Sequence, residues 1–458
     1  MKYISLSTQD IKEMMKVIGI DHLDDLFTTI PEKIRYPGAL KIPGPFSEPE
    51  LVQLFQEMAE HQNSYASLTS FLGGGAYPHF IPAVVDYVSS RGEFVSPYTP
   101  YQPEVSQGTL QAIFEFQTLI CQLTGLDMAN ASLYDGASGA AEAVLMASRI
   151  TRRPKVVLAA SLHPQYRQTI RTYCRNIGLI LEEVAFTEEG RVDLESLDKL
   201  VDNQTAAVVV QSPNYFGVVE EWAPVFQISR QKGALGIAVI AEALSLALLQ
   251  PPGEAGADIA TGEGQSFGLP LAYGGPYLGF MACRQEFIRQ FPGRIAGETI
   301  DVEGRRGYVL TLSTREQHIR REKATSNICT NQAWCALRAT IYLELLGRRG
   351  LRELALHNFY KANYLREELS KIPGLSLKFK GPVFNEFVLQ LPVAPSQLEP
   401  YFREKKIIPG VKLEEDYPQL KNCLLICATE VHSKDQLDKL VEVMAAALDH
   451  RPKKGGQS

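Results

Sequence analysis

The run Ala206-Ala207-Val208-Val209-Val210 is apolar at every position, and three other runs share this character: residues 156–158 (VVL), 237–240 (IAVI) and 278–282 (LGFMA). A strand that is continuously apolar, without alternation, is buried on both faces of its sheet, as parallel strands covered by helices are. Helical patterns separate these runs along the chain. The pattern therefore predicts an α/β fold with a doubly wound large domain, whose strands, including residues 278–282, are mainly parallel.

Both flanks of the large domain, predicted for residues 67–330, differ from it in pattern. Residues 1–66 carry two amphipathic helical patterns joined by a proline-rich connector, which predicts an N-terminal helical arm. Residues 331–450 begin with a long helical pattern and continue as strand, strand, helix, strand and helix, which predicts a small C-terminal α+β domain. Residues 451–458 (RPKKGGQS) are expected to form a frayed tail.

Composition and charge exclude several classes of function. The chain has 458 residues, with 46 Lys and Arg against 52 Asp and Glu, so its formal net charge is −6. We therefore expect no nucleic-acid or membrane partner. The 7 cysteines are scattered, which is typical of reduced intracellular thiols, and no metal site is predicted. The lack of an apolar signal stretch, or of a span of about 20 apolar residues, predicts a cytoplasmic protein.

Glycine-containing stretches suggest one turn but no nucleotide site. Residues 262–268 (GEGQSFG) miss the dinucleotide-binding spacing by one position, and residues 72–78 (LGGGAYP) form a predicted turn. The helix start at residues 134–141 (YDGASGAA), which contains Ser138, would offer free backbone N–H groups to an anion such as a phosphate. Tight packing of these small residues against the sheet explains the same pattern, so both interpretations stay open. The histidines, among them His79, show no catalytic or metal-binding spacing.

Three longer motifs resemble those of one enzyme family. Residues 98–108 (YTPYQPEVSQG) resemble the signature of glycine decarboxylase, the P-protein of the glycine cleavage system. Residues 123–132 (LTGLDMANAS) and 321–330 (REKATSNICT) match the same family, and their order and spacing agree over essentially the whole chain. Because the chain is much shorter than the single-chain enzyme, it resembles the alpha chain (subunit 1) of the two-chain version.

The resemblance implies a fold, a reaction and a cofactor. The fold is the large domain of type I pyridoxal-phosphate aminotransferases followed by a smaller one. In the reaction, glycine is decarboxylated, CO2 is released, and the aminomethyl group passes to the lipoyl arm of H-protein. Pyridoxal phosphate serves this chemistry as an electron sink and is held by a lysine as an imine.

The same resemblance implies that the cofactor site of this chain is degenerate. Gln265 stands where catalytic members have the lysine, and a glutamine amide cannot form an imine. Glu242 stands where they have the aspartate that holds the pyridine nitrogen. His163 lies near the position where they have a residue that packs over the cofactor ring. With Ser138 at the helix start, these residues are expected to be remnants of the site. No catalytic residue, and no covalently bound cofactor, is expected in this chain alone.

A partner is therefore expected to carry the cofactor. The resemblance implies a homologous beta subunit that binds pyridoxal phosphate, in an α2β2 assembly that acts with H-protein. Six residues are candidates to border the partner's active site or the channel that admits the lipoyl arm: Tyr98, Tyr101, Gln102, Glu104, Ser106 and Asn327. A purely structural interface loop would explain these residues equally well.

Two other functions stay open. The chain could be an autonomous pyridoxal-phosphate aminotransferase or lyase, anchored through an unexpected lysine. It could instead be a catalytically silent scaffold that keeps only the fold and the interface. The three possibilities differ in whether this chain binds the cofactor and whether the partner needs it.

Overall fold

The computed structural model describes residues 6–36, 38, 40–60, 62, 67–95, 99–328 and 330–449. The predicted tail, residues 451–458, lies outside them. The chain divides into two compact units, residues 1–63 and 64–458. The described part of the first unit contains helices α1 (Thr8–Ile18) and α2 (Glu48–Glu60). The Ser7 side chain caps α1, and Gly19 ends it in the left-handed conformation with φ 82°.

The second unit begins with the short strand β1 (Thr69–Ser70) and then builds its main sheet. The strands of this sheet are β2 (Met128–Ala129), β3 (Lys155–Ala159), β4 (Ile180–Val184), β5 (Thr205–Gln211), β6 (Leu235–Ile240), β7 (Ile259–Glu263) and β8 (Gly279–Cys283). In the part of the chain that the structure describes, these 7 strands lie in the order β2-β8-β7-β6-β5-β3-β4. Strands β4, β3, β5, β6 and β7 pair in parallel. The predicted α/β fold with a mainly parallel sheet is confirmed.

One predicted orientation is wrong. The run at residues 278–282 forms β8, which pairs antiparallel with both β7 and β2. A parallel strand needs a crossover connection of a dozen or more residues, usually a helix. Residues 264–278, which join β7 to β8, contain only a short 3₁₀ turn at Ala272–Gly274, so the chain turns straight back. The run is continuously apolar because β8 is an inner strand, covered on both faces like its neighbours.

Helices cover both faces of the main sheet, which explains the unbroken apolar strands. The helices between β1 and β7 in the described residues are α3 (Ala83–Ser89), α4 (Gly92–Val95), α5 (Gln107–Thr124), α6 (Gly136–Thr151), α7 (Pro164–Cys174), α8 (Leu194–Leu200) and α9 (Trp222–Gln231). In β5, Val208 and Val210 face a core formed with α5, α8 and α9. Ala207 and Val209 face the opposite core, formed with α6 and α7.

The rest of the second unit forms a hairpin, a long helix and a smaller sheet. Its elements are β9 (Ile295–Ile300), β10 (Arg306–Thr311), α10 (Gln317–Arg320), α11 (Ala333–Ser370), β11 (Ser376–Leu377), β12 (Glu386–Gln390), α12 (Pro395–Glu404), β13 (Ile407–Ile408), β14 (Val411–Lys412), β15 (Cys423–Cys427) and α13 (Lys434–Asp449). The antiparallel small sheet has the order β11-β12-β15-β14, and β1 pairs in parallel with β13. Gly347, with φ 57°, breaks α11. Across the described residues, no helix has the length and apolar character that crossing a bilayer requires.

Candidate functional site

Four polar residues lie at, or shortly after, the carboxyl ends of the parallel strands. They are His163 after β3, Gln211 at the end of β5, Glu242 after β6 and Gln265 after β7, and we call the region between them the crevice. In open α/β sheets, ligands bind at this edge. All four residues are buried. The crevice is therefore the candidate site by topology, and it unites three of the four residues predicted as cofactor-site remnants.

The Gln265 amide is hydrogen bonded to the backbone through both of its polar atoms. Its Oε1 accepts from Tyr77 N at 2.9 Å. Its Nε2 donates to Tyr77 O at 3.0 Å and to Leu269 O at 2.8 Å. An amide nitrogen shares its lone pair with the carbonyl and is not a nucleophile toward an aldehyde. Gln265 therefore fixes the backbone of Tyr77 and offers no anchor to a carbonyl cofactor.

Glu242 takes part in a buried charged cluster with His79 and Glu430. Its Oε2 lies 3.1 Å from His79 Nε2, and Glu430 Oε2 lies 2.8 Å from His79 Nδ1. Burial alone would lower the pKa of His79, but attraction and hydrogen bonds from the two carboxylates outweigh it and raise the pKa to about 10. Asn385 Nδ2 also donates to Glu242 Oε2 at 3.0 Å. His79 is thus an imidazolium cation at neutral pH, held between two carboxylates.

His163 is a neutral imidazole with both nitrogens hydrogen bonded. Nε2 lies 2.7 Å from Gly74 O, which can only accept, and Nδ1 accepts from Gln165 N at 3.2 Å. These partners fix the tautomer that carries its proton on Nε2. Burial lowers the pKa of His163, so the ring stays uncharged at neutral pH. The ring packs against the ring of Tyr215, with centroids 4.7 Å apart.

The start of α6, which holds Ser138, is capped by carboxylates of the chain itself. Asp135 Oδ1 accepts from Ser138 N at 2.7 Å, and Glu263 Oε2 accepts from Gly136 N at 3.0 Å. Burial raises the pKa of Glu263 to about 7, and its Oε1 accepts from Gln265 N at 3.1 Å. Through Glu263, these bonds bring the start of α6 close to Gln265, with acidic side chains at the helix N-terminus.

Pyridoxal phosphate needs an amine for its aldehyde and a cradle for its phosphate dianion. In the crevice, the amine position holds the Gln265 amide. The N–H groups of Gly136 and Ser138 at the start of α6 already bond to Glu263 and Asp135, and acidic side chains at this position disfavour a phosphate. The residues present therefore do not fit this cofactor.

The predicted loop lies against the hairpin β9–β10 and the start of α5. Tyr101 is 54% exposed, and Arg294 Nη2 donates to its hydroxyl at 3.1 Å, with the guanidinium carbon 5.4 Å from the ring centroid. Ser106 is buried, and its carbonyl accepts from Leu110 N at 3.0 Å. Three other candidates, Gln102, Glu104 and Asn327, are exposed. Tyr98 lies outside the described residues. Within the described part of the chain, no hydrogen bond joins this loop to the crevice.

A cleft of about 460 Å³ opens beside the loop, between α4, α5 and the start of α11. Its lining includes Phe94, Val95, Pro100, Ile113, Asn331 and Trp334. Val95 and Trp334 of this lining are exposed, and a neighbouring cleft that shares Phe94, Ala112 and Leu337 is lined by the exposed Val84 and Leu345. Apolar surface gathered around a cleft is typical of an interaction site.

Sequence reasoning missed two residues of the buried charged cluster, His79 and Glu430. The nearest signal was the glycine run at residues 73–75, because glycines in a row indicate that backbone passes close to another surface. His79 follows that run by four positions, but nothing in the sequence pairs it with Glu242 or Glu430.

Comparisons with known proteins agree with the predicted family. The family model described as glycine cleavage system P-protein matches residues 1–444. A probable glycine dehydrogenase (decarboxylating) subunit 1 of Desulfitobacterium hafniense is 50% identical over 444 residues, which cover 97% of this chain and 99% of that protein. The protein of the same description from Moorella thermoacetica is 49% identical over 448 residues, 98% of this chain and 100% of that protein.

Solved structures agree with the fold. A crystal structure of glycine decarboxylase (P-protein) of the glycine cleavage system, in inhibitor-bound form, superposes with a TM-score of 0.87 at 42% identity, covering 98% of this chain and 100% of that one. A sphingosine-1-phosphate lyase of Burkholderia pseudomallei has a TM-score of 0.65 at 17% identity over 92% of this chain and 95% of that one, and it shows the fold alone. The family predicted from the sequence motifs is confirmed: the chain belongs to the P-proteins of the glycine cleavage system.

Proposed function

We propose that this chain is subunit 1 of a two-subunit glycine decarboxylase. With a homologous second subunit, it decarboxylates glycine, releases CO2 and transfers the aminomethyl group to the lipoyl group of H-protein. The buried Gln265 amide, in a chain whose full length corresponds to relatives named subunit 1, carries this proposal. At the position where catalytic members have the lysine that forms the imine, this chain has Gln265, whose side chain hydrogen bonds to backbone atoms of Tyr77 and Leu269.

The proposed division of labour places pyridoxal phosphate in the second subunit. That group supplies the electron sink for decarboxylation when it is bound there. This chain would instead contribute a surface that packs against the second subunit and helps to bury its active site. An α2β2 assembly in the cytoplasm is the arrangement we propose, following the family resemblance.

The exposed apolar side chains around the cleft support a protein partner at this face. Val84 on α3 and Leu345 on α11 line a neighbouring cleft that shares Phe94, Ala112 and Leu337 with the first one, and Val95 and Trp334 line the first. Burying such side chains against a homologous subunit contributes about 25 cal/mol for each Å² of apolar surface removed from water. We propose that the second subunit covers this face.

The predicted loop is proposed to border the active site of the second subunit or the path of the lipoyl arm. Arg294 holds the Tyr101 hydroxyl, so the exposed ring is presented in one orientation at little further entropic cost. A tyrosine offers an apolar face with a polar tip, which suits a hydrocarbon arm that ends in a ring. Tyr98, Gln102, Glu104, Ser106 and Asn327 remain candidates for the same role.

Reconstitution tests the proposed function. We expect no glycine-dependent exchange of labelled CO2 from this chain alone with H-protein, and full exchange when the second subunit is added. The second subunit alone should be at least about a hundredfold less active, because a pocket left open at the interface is hydrated and misaligned. Full activity of the second subunit alone would indicate a silent scaffold. Activity and a borohydride-fixed cofactor in this chain alone would indicate an autonomous enzyme.

Tyr101→Ala should lower the glycine turnover of the assembled complex about tenfold, which corresponds to about 1.4 kcal/mol. The substitution removes the ring that the loop presents, whereas Tyr101→Phe removes only the hydrogen bond from Arg294 and should retain most activity. Turnover is measured after size-exclusion chromatography has verified assembly. Tyr360→Ala changes a similarly exposed tyrosine on α11 and serves as the control. Unchanged turnover of Tyr101→Ala would leave the loop a purely structural element.

A further inference from the structure

Residues 72–80 (LGGGAYPHF), which we call the glycine segment, run through the crevice without helix or strand structure. Side chains of the crevice and of the small sheet bond to the backbone of the segment. Gly74 N donates to Glu386 Oε1 at 2.7 Å, and Gly74 O accepts from His163 Nε2 at 2.7 Å. Gln265 bonds to both N and O of Tyr77. The segment is held as a bound peptide would be.

The same pattern continues toward the end of the segment. Thr429 Oγ1 donates to Pro78 O at 2.7 Å, and Phe80 N donates to Glu430 Oε1 at 2.7 Å. These partners follow β15 of the small sheet. Because backbone groups buried away from water must be paired, these side chains satisfy polar groups that the segment would otherwise leave without partners.

Only glycine fits where the segment passes closest to the crevice. A Cβ on Gly75 would lie 2.8 Å from His163 Nε2, and Gly75 has φ +108°, which disfavours other residues. A Cβ on Gly73 would lie 2.7 Å from the Cβ of Cys427 as well as against the Glu386 carboxylate. The absence of side chains at these positions lets the backbone approach as closely as it does.

The side chains of the segment occupy the part of the crevice that its backbone does not fill. Tyr77 is only 2% exposed, and its hydroxyl donates to Glu386 Oε2 at 2.8 Å. The His79 cation lies 3.1 Å from Glu242, the residue at the position where the resemblance puts the carboxylate facing a protonated pyridine nitrogen. A positive nitrogen of the chain itself therefore satisfies that carboxylate.

We infer that the glycine segment is a built-in occupant that takes the place of the cofactor in this subunit and closes the crevice to ligands. The inference deepens the proposed function, because it explains how a subunit without cofactor keeps the fold of one that has it. Loss of the lysine is then only one of several changes. Restoring an amine at position 265 would leave Tyr77 and the His79–Glu242 pair in place in the crevice.

The test uses the full chain assembled with its partner and examines the segment directly. Hydrogen exchange of the Gly74, Tyr77 and Phe80 amides should be at least about a hundredfold slower than in an unprotected loop, and millimolar pyridoxal phosphate should not change it. In parallel, Gln265→Lys is incubated with pyridoxal phosphate, reduced with borohydride and mapped by peptide mass spectrometry. We expect no adduct at residue 265, and labelling of exposed Lys232 serves as the positive control for the chemistry.

An adduct at residue 265, fast exchange of the segment, or exchange that slows further when pyridoxal phosphate is added would each overturn the inference. If Gln265→Lys does not fold, the exchange measurement on the unmodified chain still decides. Turnover by the complex is recorded separately. If the crevice is accessible in a complex that turns over glycine, the inference is wrong and the proposed function stands. If the segment is protected but the complex does not turn over glycine, the proposed function is wrong and the inference stands.

Discussion

Replacing His79 with alanine should destabilise the folded chain by about 3–5 kcal/mol, the usual cost of removing one partner from a buried ionic cluster. The imidazolium lies 2.8 Å from Glu430 and 3.1 Å from Glu242, and both carboxylates would be left buried without a cation. The shift in the midpoint of urea unfolding measures the effect. His318→Ala is the matched control, because His318 also faces a glutamate but is 36% exposed, and it should cost less than about 1 kcal/mol.

The pH dependence identifies the charge as the cause. The pKa of His79 is raised in the folded chain to about 10, above its unfolded value of about 6.5. Its contribution is therefore complete below pH 6.5 and is lost as the pH rises through about 10. The stability difference between the wild type and His79→Ala should shrink over that window, by up to about 1.4 kcal/mol per pH unit. A difference that does not vary with pH would mean that His79 is neutral and acts through packing alone.

Glu263→Ala should cost at least about 3 kcal/mol, because one side chain accepts from three buried backbone N–H groups, each worth about 1–3 kcal/mol when left unsatisfied. They belong to Gly136 at 3.0 Å, Gln265 at 3.1 Å and Leu278 at 2.8 Å. The start of α6, the turn after β7 and the start of β8 all depend on this side chain. Thermal and urea unfolding measure the loss.

Two variants calibrate this result. Glu263→Gln keeps one acceptor oxygen but turns an amide NH₂ toward backbone donors, so its loss should fall between those of the wild type and the alanine variant. Glu286→Ala removes an exposed carboxylate and should change stability by no more than about 0.5 kcal/mol. If Glu263→Ala were as mild as Glu286→Ala, water would have to satisfy the three amides.

Strands buried on both faces were predictable, whereas polar strands were not. The run at residues 206–210 lies inside β5, because every side chain there meets a core. Strand β7 escaped prediction because its sequence, IATGE, ends in Thr261, Gly262 and Glu263. Those residues are fully buried but are selected for hydrogen bonds and close backbone approach rather than for hydrophobicity. Strand β4, with the sequence ILEEV, lies at the edge of the sheet and is only partly buried. Its two glutamates interrupt the apolar pattern, so it was not predicted either.

The crevice was predictable only as far as the resemblance reached. Gln265, Glu242 and His163 were expected together because the resemblance places all three at the cofactor site, and only Glu242 and His163 also follow strands that were predicted. Their actual partners were not, since the contacts of His79 join residues 163 and 351 positions apart. A local pattern contains no information about such pairs. The glycine run was visible as a turn, yet its reason, the approach to His163, exists only in the folded chain.

The glycine segment also has a mechanical consequence. It is bonded on one side to His163 and Gln265 of the main sheet and on the other to Glu386 and Thr429 of the small sheet. Enzymes with a hinge between two such bodies commonly close over their substrate and reopen to release product. Here any opening would break the bonds on one side of the segment and expose them to solvent at once. The hydrogen bonds of the segment therefore oppose a movement of the small sheet away from the main sheet, so this subunit is expected to resist the opening and closing that such enzymes use.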